Sequence, residues 1–225
     1  MAVILCIETS ASVLSVALSR DGALLSERVC TVPRQQASLT APLVKEVLDE
    51  AGLKVAGCDA IAVSSGPGSY TGLRVGVSTA KGLCFGAGKP LIAIPTLDIL
   101  VAGTVSGCAK YVVPMLDARR MEVYTAVYTP EGERITPVEA MVVGEGSFKK
   151  YLDEGKVLFT GDGAIKCKGV IGHPDAVFRE EQPLARNMVR LAHAAFDAGR
   201  FEDAAYFEPF YLKDFVTTVS KKKLW

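Results

Sequence analysis

Apolar positions in the first thirty residues fall into three blocks: AVILCIE at 2–8, VLSVALS at 13–19 and ALLSERVC at 23–30. Each has strand length. Asp21-Gly22 separates the last two, and this dipeptide favours a tight hairpin because both residues tolerate a left-handed backbone. The pattern predicts a strand followed by an antiparallel pair. The period then changes. In SLTAPLVKEVLDEA at 38–51, Leu39, Leu43, Val47 and Ala51 share one face, with Val44 and Leu48 beside them. That spacing predicts a helix, with Pro42 tolerated near its start and Gly52 suited to its end. DAIAVS at 59–64 predicts a buried strand, followed by a glycine-rich loop and a helix to about Gly86. LIAI at 91–94 predicts another strand, and 96–103 another helix.

The pattern restarts after Gly107. YVVPMLD at 111–117 and MEVYTAVYT at 121–129 predict paired strands around Ala118-Arg119-Arg120. KVLFT at 156–160 predicts a strand before the loop Gly161-Asp162-Gly163, and 184–198 an amphipathic helix. Both halves begin with strands and mix strands with helices. A boundary is expected near 104–110, giving segments 1–106 and 107–225. Neither a tight repeat nor a low-complexity segment is visible.

Composition narrows the functional classes. Among 225 residues, 25 basic side chains balance 25 acidic ones, so an overall basic footprint for nucleic acid is absent. The only basic run is Lys221-Lys222-Lys223, expected to be a solvated tail. No stretch reaches the roughly 18 apolar residues that a membrane span requires, so no membrane association is expected. The N-terminal apolar stretch ends early at Glu8 and reads as a strand, not a signal peptide. Six cysteines without a C-x-x-C pair read as buried free thiols in a reducing compartment, which places the chain in the cytoplasm.

The stretch SSGPGSYTGLRVGVSTAKGLCFG at 64–86 is the main candidate for chemistry. A phosphate-gripping Walker loop needs a Gly-Lys pair separated from its first glycine by four residues, and none falls there. The G-x-G-x-x-G fingerprint fails because Thr71 stands at the third glycine position. The nucleophile elbow G-x-S-x-G fails around Ser69, and the only histidines, His173 and His193, are distant in sequence. Two readings stay open. Backbone N–H groups at the start of the helix can hold an anion, or the glycines serve a tight turn. Within the helix, each of the interior glycines costs about 1 kcal/mol relative to alanine, so a close approach must offset them. Val75, Thr79, Gly82 and Gly86 form one stripe, and Leu73, Val77, Ala80 and Cys84 another. One stripe is expected on the sheet. The other meets a second helix or another protein, unless both are buried within one domain.

Several stretches together resemble the TsaB family, also called YeaZ. They are ILCIETSASVLSVAL at 4–18, SGPGSYTGLRVGVSTAKGL at 65–83, PLIAIPTL at 90–97, DARRMEVYTAVY at 117–128 and Gly161-Asp162-Gly163-Ala164. The resemblance implies an actin-like (ASKHA) α/β fold of two RNase H-like lobes, with mixed sheets flanked by helices. The first lobe, 1–106, would carry partner-binding helices, and 107–225 would be a smaller, degenerate lobe. It implies a non-catalytic scaffold that activates the catalytic paralogue TsaD. With the ATPase TsaE, that complex places threonylcarbamoyl on N6 of the adenosine next to the anticodon. Binding of tRNA would occur through the complex, and the free chain would form a homodimer. The chain itself would need no cofactor, with ATP or ADP and magnesium acting at the level of the complex. The helices before and after the glycine loop form the implied partner surface, here Leu39, Leu43, Gly76, Thr79, Gly82, Leu83 and Gly86.

Departures from the wider family matter. The catalytic relative carries H-x-x-x-H, whose histidine positions align with Thr96 and Leu100, leaving only Asp98 nearby as a metal ligand. The superfamily usually places Asp in the first strand, where this chain has Glu8. Glu8, Ser10, Gly66 and Gly68 are therefore candidates for a residual nucleotide or anion site. Glu8 either reaches a hydrated cation or is hydrogen-bonded to the Gly66–Gly72 turn. Gln36 stands where the family often has His, and Met121 where it often has Gly. An ATPase or small-molecule kinase using Glu8 and Asp117 around magnesium is the first alternative. A metallopeptidase is the second, and the missing histidine pair counts against it.

Overall fold

The computed structural model describes residues 1–104 and 107–213; the Lys221–Lys223 run lies outside them. Strands β1 (Val3–Glu8), β2 (Leu14–Arg20) and β3 (Ala23–Cys30) form an antiparallel meander, joined by parallel β4 (Ala60–Gly66) and β5 (Leu91–Pro95) in the order β3-β2-β1-β4-β5. The predicted hairpin forms, with Asp21 at φ 50° and Gly22 at φ 80°.

Both faces are covered over β1, β2, β4 and β5, which explains their nearly continuous apolar sequences, while the edge strand β3 is largely exposed. Leu5, Ile7, Val16, Leu18, Ile61 and Val63 point to one face, against α1 (Gln36–Glu50) and α2 (Tyr70–Ala87). The alternate residues Ile4, Cys6, Ala17, Ala60, Ala62 and Ile92 point to the other. After β5 the chain enters α3 (Thr96–Ala102).

A second sheet has the order β10-β9-β6-β7-β8, with β6 at Tyr111–Asp117, β7 at Glu122–Thr125, β8 at Glu139–Val142, β9 at Val157–Thr160 and β10 at Ala176–Arg179. Short helices α4 (Lys149–Leu152) and α5 (Asp162–Cys167) pack with it. The last helix, α6 (Ala185–Asp197), returns to the first sheet and buries Met188, Val189, Ala192 and Ala195 against the face opposite α1 and α2.

Two differences from the sequence pattern have physical causes. The strand expected over 121–129 stops at Thr125, because Val127 N–H turns to the Thr136 hydroxyl and Tyr128 bridges back to Val112. Strands β8 and β10 were not predicted. Each has four residues, sits at a sheet edge and is half exposed, so it carries little periodicity.

Candidate functional site

The glycine loop leaves the C-terminal end of β4 and opens α2. Ser69 caps that helix, its hydroxyl accepting from Gly72 N–H at 3.3 Å. The loop is built against the end of β1. Ser69 N–H donates to the Ser10 carbonyl at 2.7 Å, and the Thr9 hydroxyl donates to the Gly72 carbonyl at 2.8 Å. A Cβ on Gly72 would meet the Thr9 carbonyl, and one on Gly76 would meet the Thr9 hydroxyl. These two glycines exist so that α2 can lie directly on β1.

Glu8, Ser10, Gly66 and Gly68 do come together here. A Cβ at Gly68 would lie 2.5 Å from the Ser10 carbonyl oxygen, and one at Gly66 the same distance from that of Phe210. Gly66 has φ 108°, and Phe210 N–H donates to the Ser65 carbonyl at 2.7 Å. The chain's own backbone thus lies against both glycines, and these contacts account for their lack of a Cβ without a bound phosphate. Glu8 is fully buried. One oxygen accepts from both the N–H and the hydroxyl of Ser10 at 2.6 Å, and the other has no hydrogen-bond partner. Of the two readings for Glu8, the bond to the Gly66–Gly72 turn does not form; the turn bonds the Thr9 hydroxyl and the Ser10 carbonyl instead. Burial pushes the Glu8 carboxyl up to about 7, against the Ser10 hydrogen bonds that lower it.

The candidate metal positions are also committed elsewhere. Thr96 is buried and Leu100 lies in the apolar core. Asp98 accepts from the Tyr128 hydroxyl at 2.6 Å. Asp117 pairs with Lys166 and accepts from Arg119 N–H at 2.9 Å. His193 accepts from Gly22 N–H at the hairpin, and His173 from Asp175 N–H. Among the described residues no three His, Cys, Asp or Glu side chains are grouped to hold a metal ion.

The helix surface separates the partner candidates. Leu73, Gly76, Val77, Ala80 and Cys84 face inward. Gly82 and Gly86 are exposed, with open space where a side chain would stand. Thr79, Leu39 and Leu83 are half-buried, the two leucines packed at the edge of the core. Leu43 and Gly76, expected on the partner surface, lie in the chain's own interior because their helical positions point at the sheet. Phe85 was missed. It is 92% exposed, between Gly82 and Gly86 on the same outer face. The signal was a large aromatic among small residues on the non-core stripe. Helix α1 lies beside α2 and adds exposed Ala37, Ala41 and Pro42.

Comparison with known proteins places this geometry. The family model of tRNA N6-adenosine threonylcarbamoyltransferase, TsaD, matches residues 31–166. The tRNA threonylcarbamoyladenosine biosynthesis protein TsaB of Escherichia coli is 30% identical, with 98% of this chain and 97% of that protein covered. The chain belongs to the TsaB family. A tRNA N6-adenosine threonylcarbamoyltransferase of Agrobacterium fabrum is 34% identical, but only 41% of its length is covered, so the match to TsaD is that of a shared part. The solved structure of YeaZ from Pseudomonas aeruginosa superposes with a TM-score of 0.83 at 29% identity, covering 94% of this chain and all of that one. The fold is thus the actin-like one of the TsaB and TsaD proteins, two mixed sheets flanked by helices.

Proposed function

We propose that this chain is a non-catalytic subunit of tRNA threonylcarbamoyladenosine synthesis that binds and activates the catalytic paralogue TsaD. The observation that carries this reading is the outer face of α2, where Phe85 stands fully outward between two open glycines. A phenylalanine left in water forfeits about 1.5–3 kcal/mol that burial would recover, and an apolar patch of this kind marks an interaction site. Glycines on either side let a partner helix approach closely. Membership of the TsaB family and the part shared with TsaD support TsaD as that partner, and the complex would then modify the adenosine next to the anticodon.

In this reading the chemistry belongs to TsaD. This chain contributes a rigid surface: the Thr9 hydroxyl and the Ser10 carbonyl fix the start of α2, and α2 presents Phe85. The backbone packed against the loop glycines favours the subunit role over an ATPase or small-molecule kinase, and the lost histidine pair argues against a metallopeptidase. The chain needs no cofactor of its own; ATP or ADP with magnesium enters with the complex, where TsaE is the ATPase and tRNA the substrate. Alone, the same face would pair two copies into a homodimer. The cytoplasm is the proposed site of action, and lobes 1–106 and 107–225 are the proposed division, supported by the two sheets although α6 packs on the first.

The test is threonylcarbamoyl transfer to a tRNA transcript by the cognate TsaD, TsaE and its adenylate donor, with and without this chain. Stimulation by the wild-type chain and its loss with Gly82→Arg are expected. Equal activity without the chain would refute the role.

A further inference from the structure

After α6 the chain runs back across α2 to the second sheet. Glu202 N–H donates to the Leu91 carbonyl, and Lys81 holds the carbonyls of Ala205 and Phe207. Tyr211 then packs on Tyr70 at the start of α2, with ring centroids 4.8 Å apart. The Arg74 guanidinium lies 4.4 Å from the centroid of the same Tyr70 ring. Two residues further, a span of at most about 7 Å, Lys213 pairs with Glu122 at the start of β7.

Beside that ion pair is the turn joining β6 to β7. Arg119 and Arg120 form it, both exposed and both left-handed, at φ 69° and 54°. Residues with a side chain rarely take this conformation, and asparagine or glycine is the usual choice. Burial raises the Tyr124 hydroxyl pKa, and Lys213, Glu122 and Arg119 all act on it electrostatically, so these side chains share one neighbourhood. The local acids are taken: Asp117 by Lys166 and Glu122 by Lys213. Neither Arg119 nor Arg120 has an acidic partner for its guanidinium among the described residues.

We propose that this patch, Arg74, Arg119 and Arg120 with Tyr70, Tyr124 and Tyr211, is a contact surface for single-stranded RNA, namely a loop of the tRNA. The inference rests on the proposed role in tRNA modification. Guanidinium groups meet phosphates and tyrosine rings offer faces on which unpaired bases stack; Tyr70, already in contact with Tyr211 and the Arg74 guanidinium, serves to position those two. The chain's balanced net charge does not oppose this, because the cations are concentrated at one place while their acidic neighbours are internally paired.

The turn supplies its own test. Arg119→Asn/Arg120→Gly removes both cations while installing residues suited to positive φ, so the fold should be at least as stable. Binding of the cognate tRNA transcript by the assembled complex of this chain with TsaD would be measured across salt concentrations. For the double variant, the affinity should drop several-fold and the slope of log K against log salt should become shallower by about 1.4, two single-strand phosphate contacts. Association with TsaD should be unchanged. An unchanged affinity and slope would overturn the proposal. So would weakened TsaD association with tRNA affinity intact, which would make the patch a protein contact. If the wild-type chain fails to associate with TsaD, the functional reading falls and this inference with it.

Discussion

Two glycines in one helix should respond oppositely to the same substitution. At Gly82 a new Cβ meets nothing within 4 Å, so Gly82→Ala should gain the helix propensity of alanine, about 1 kcal/mol. At Gly76 the same gain is available, but the Cβ would fall on the Thr9 hydroxyl. That hydroxyl is buried and donates to the Gly72 carbonyl at 2.8 Å. Displacing it leaves a buried donor unsatisfied, costing about 1–3 kcal/mol, and overpacks the site by about 1–3 kcal/mol more. The net for Gly76→Ala is a loss of about 1–5 kcal/mol. For a chain of this size, 1 kcal/mol moves the thermal midpoint by about 2–4 °C. Thermal unfolding of both variants should therefore show Gly82→Ala slightly above wild type and Gly76→Ala below it. Equal stabilisation by the two would refute the claim that Gly76 is required by its contact with β1.

Glu8 should make stability depend on pH. Its carboxyl is raised from an ordinary value near 4.5 to about 7 by burial, so between these values the folded chain holds a proton that the unfolded chain releases. Stability should fall as pH rises through that window, by about 3 kcal/mol when complete, and Glu8→Gln should flatten this component in urea titrations at several pH values. Parallel pH dependences for the two proteins would show that Glu8 is not responsible. Gly66→Ala should destabilise by about 1–3 kcal/mol, because φ 108° is strained for alanine and the Cβ would strike the Phe210 carbonyl. Hydrogen exchange should then report faster opening of the Phe210 amide; unchanged protection would mean the terminal segment does not depend on that fit.

Much of the first sheet was legible because β1, β2, β4 and β5 are buried on both faces and the β2–β3 hairpin carries Asp21-Gly22. The same reasoning found α1, α2 and α6, whose apolar faces have a clear period. It did not find β8 and β10, whose four residues each are half exposed. The glycines of α2 were legible as a cost but not as to where it is offset. Gly72 and Gly76 answer to β1, whereas Gly82 and Gly86 face outward, and only the rotation of the helix distinguishes them. The position of Phe210 in the glycine cradle was not readable, because its contacts there are made by its backbone N–H and carbonyl, which leave no pattern in side-chain type.

The central claim is that the outer face of α2 is where this chain meets TsaD. Light scattering of the purified chain, alone and mixed with its cognate TsaD, tests it most directly, with Phe85→Ala run beside the wild type. The account predicts a one-to-one complex for the wild type. For Phe85→Ala it predicts roughly tenfold to hundredfold weaker association, the 1.5–3 kcal/mol of one buried phenylalanine, with an unchanged melting temperature. A wild-type chain that ignores TsaD, or a Phe85→Ala chain that binds as tightly as wild type, would contradict it.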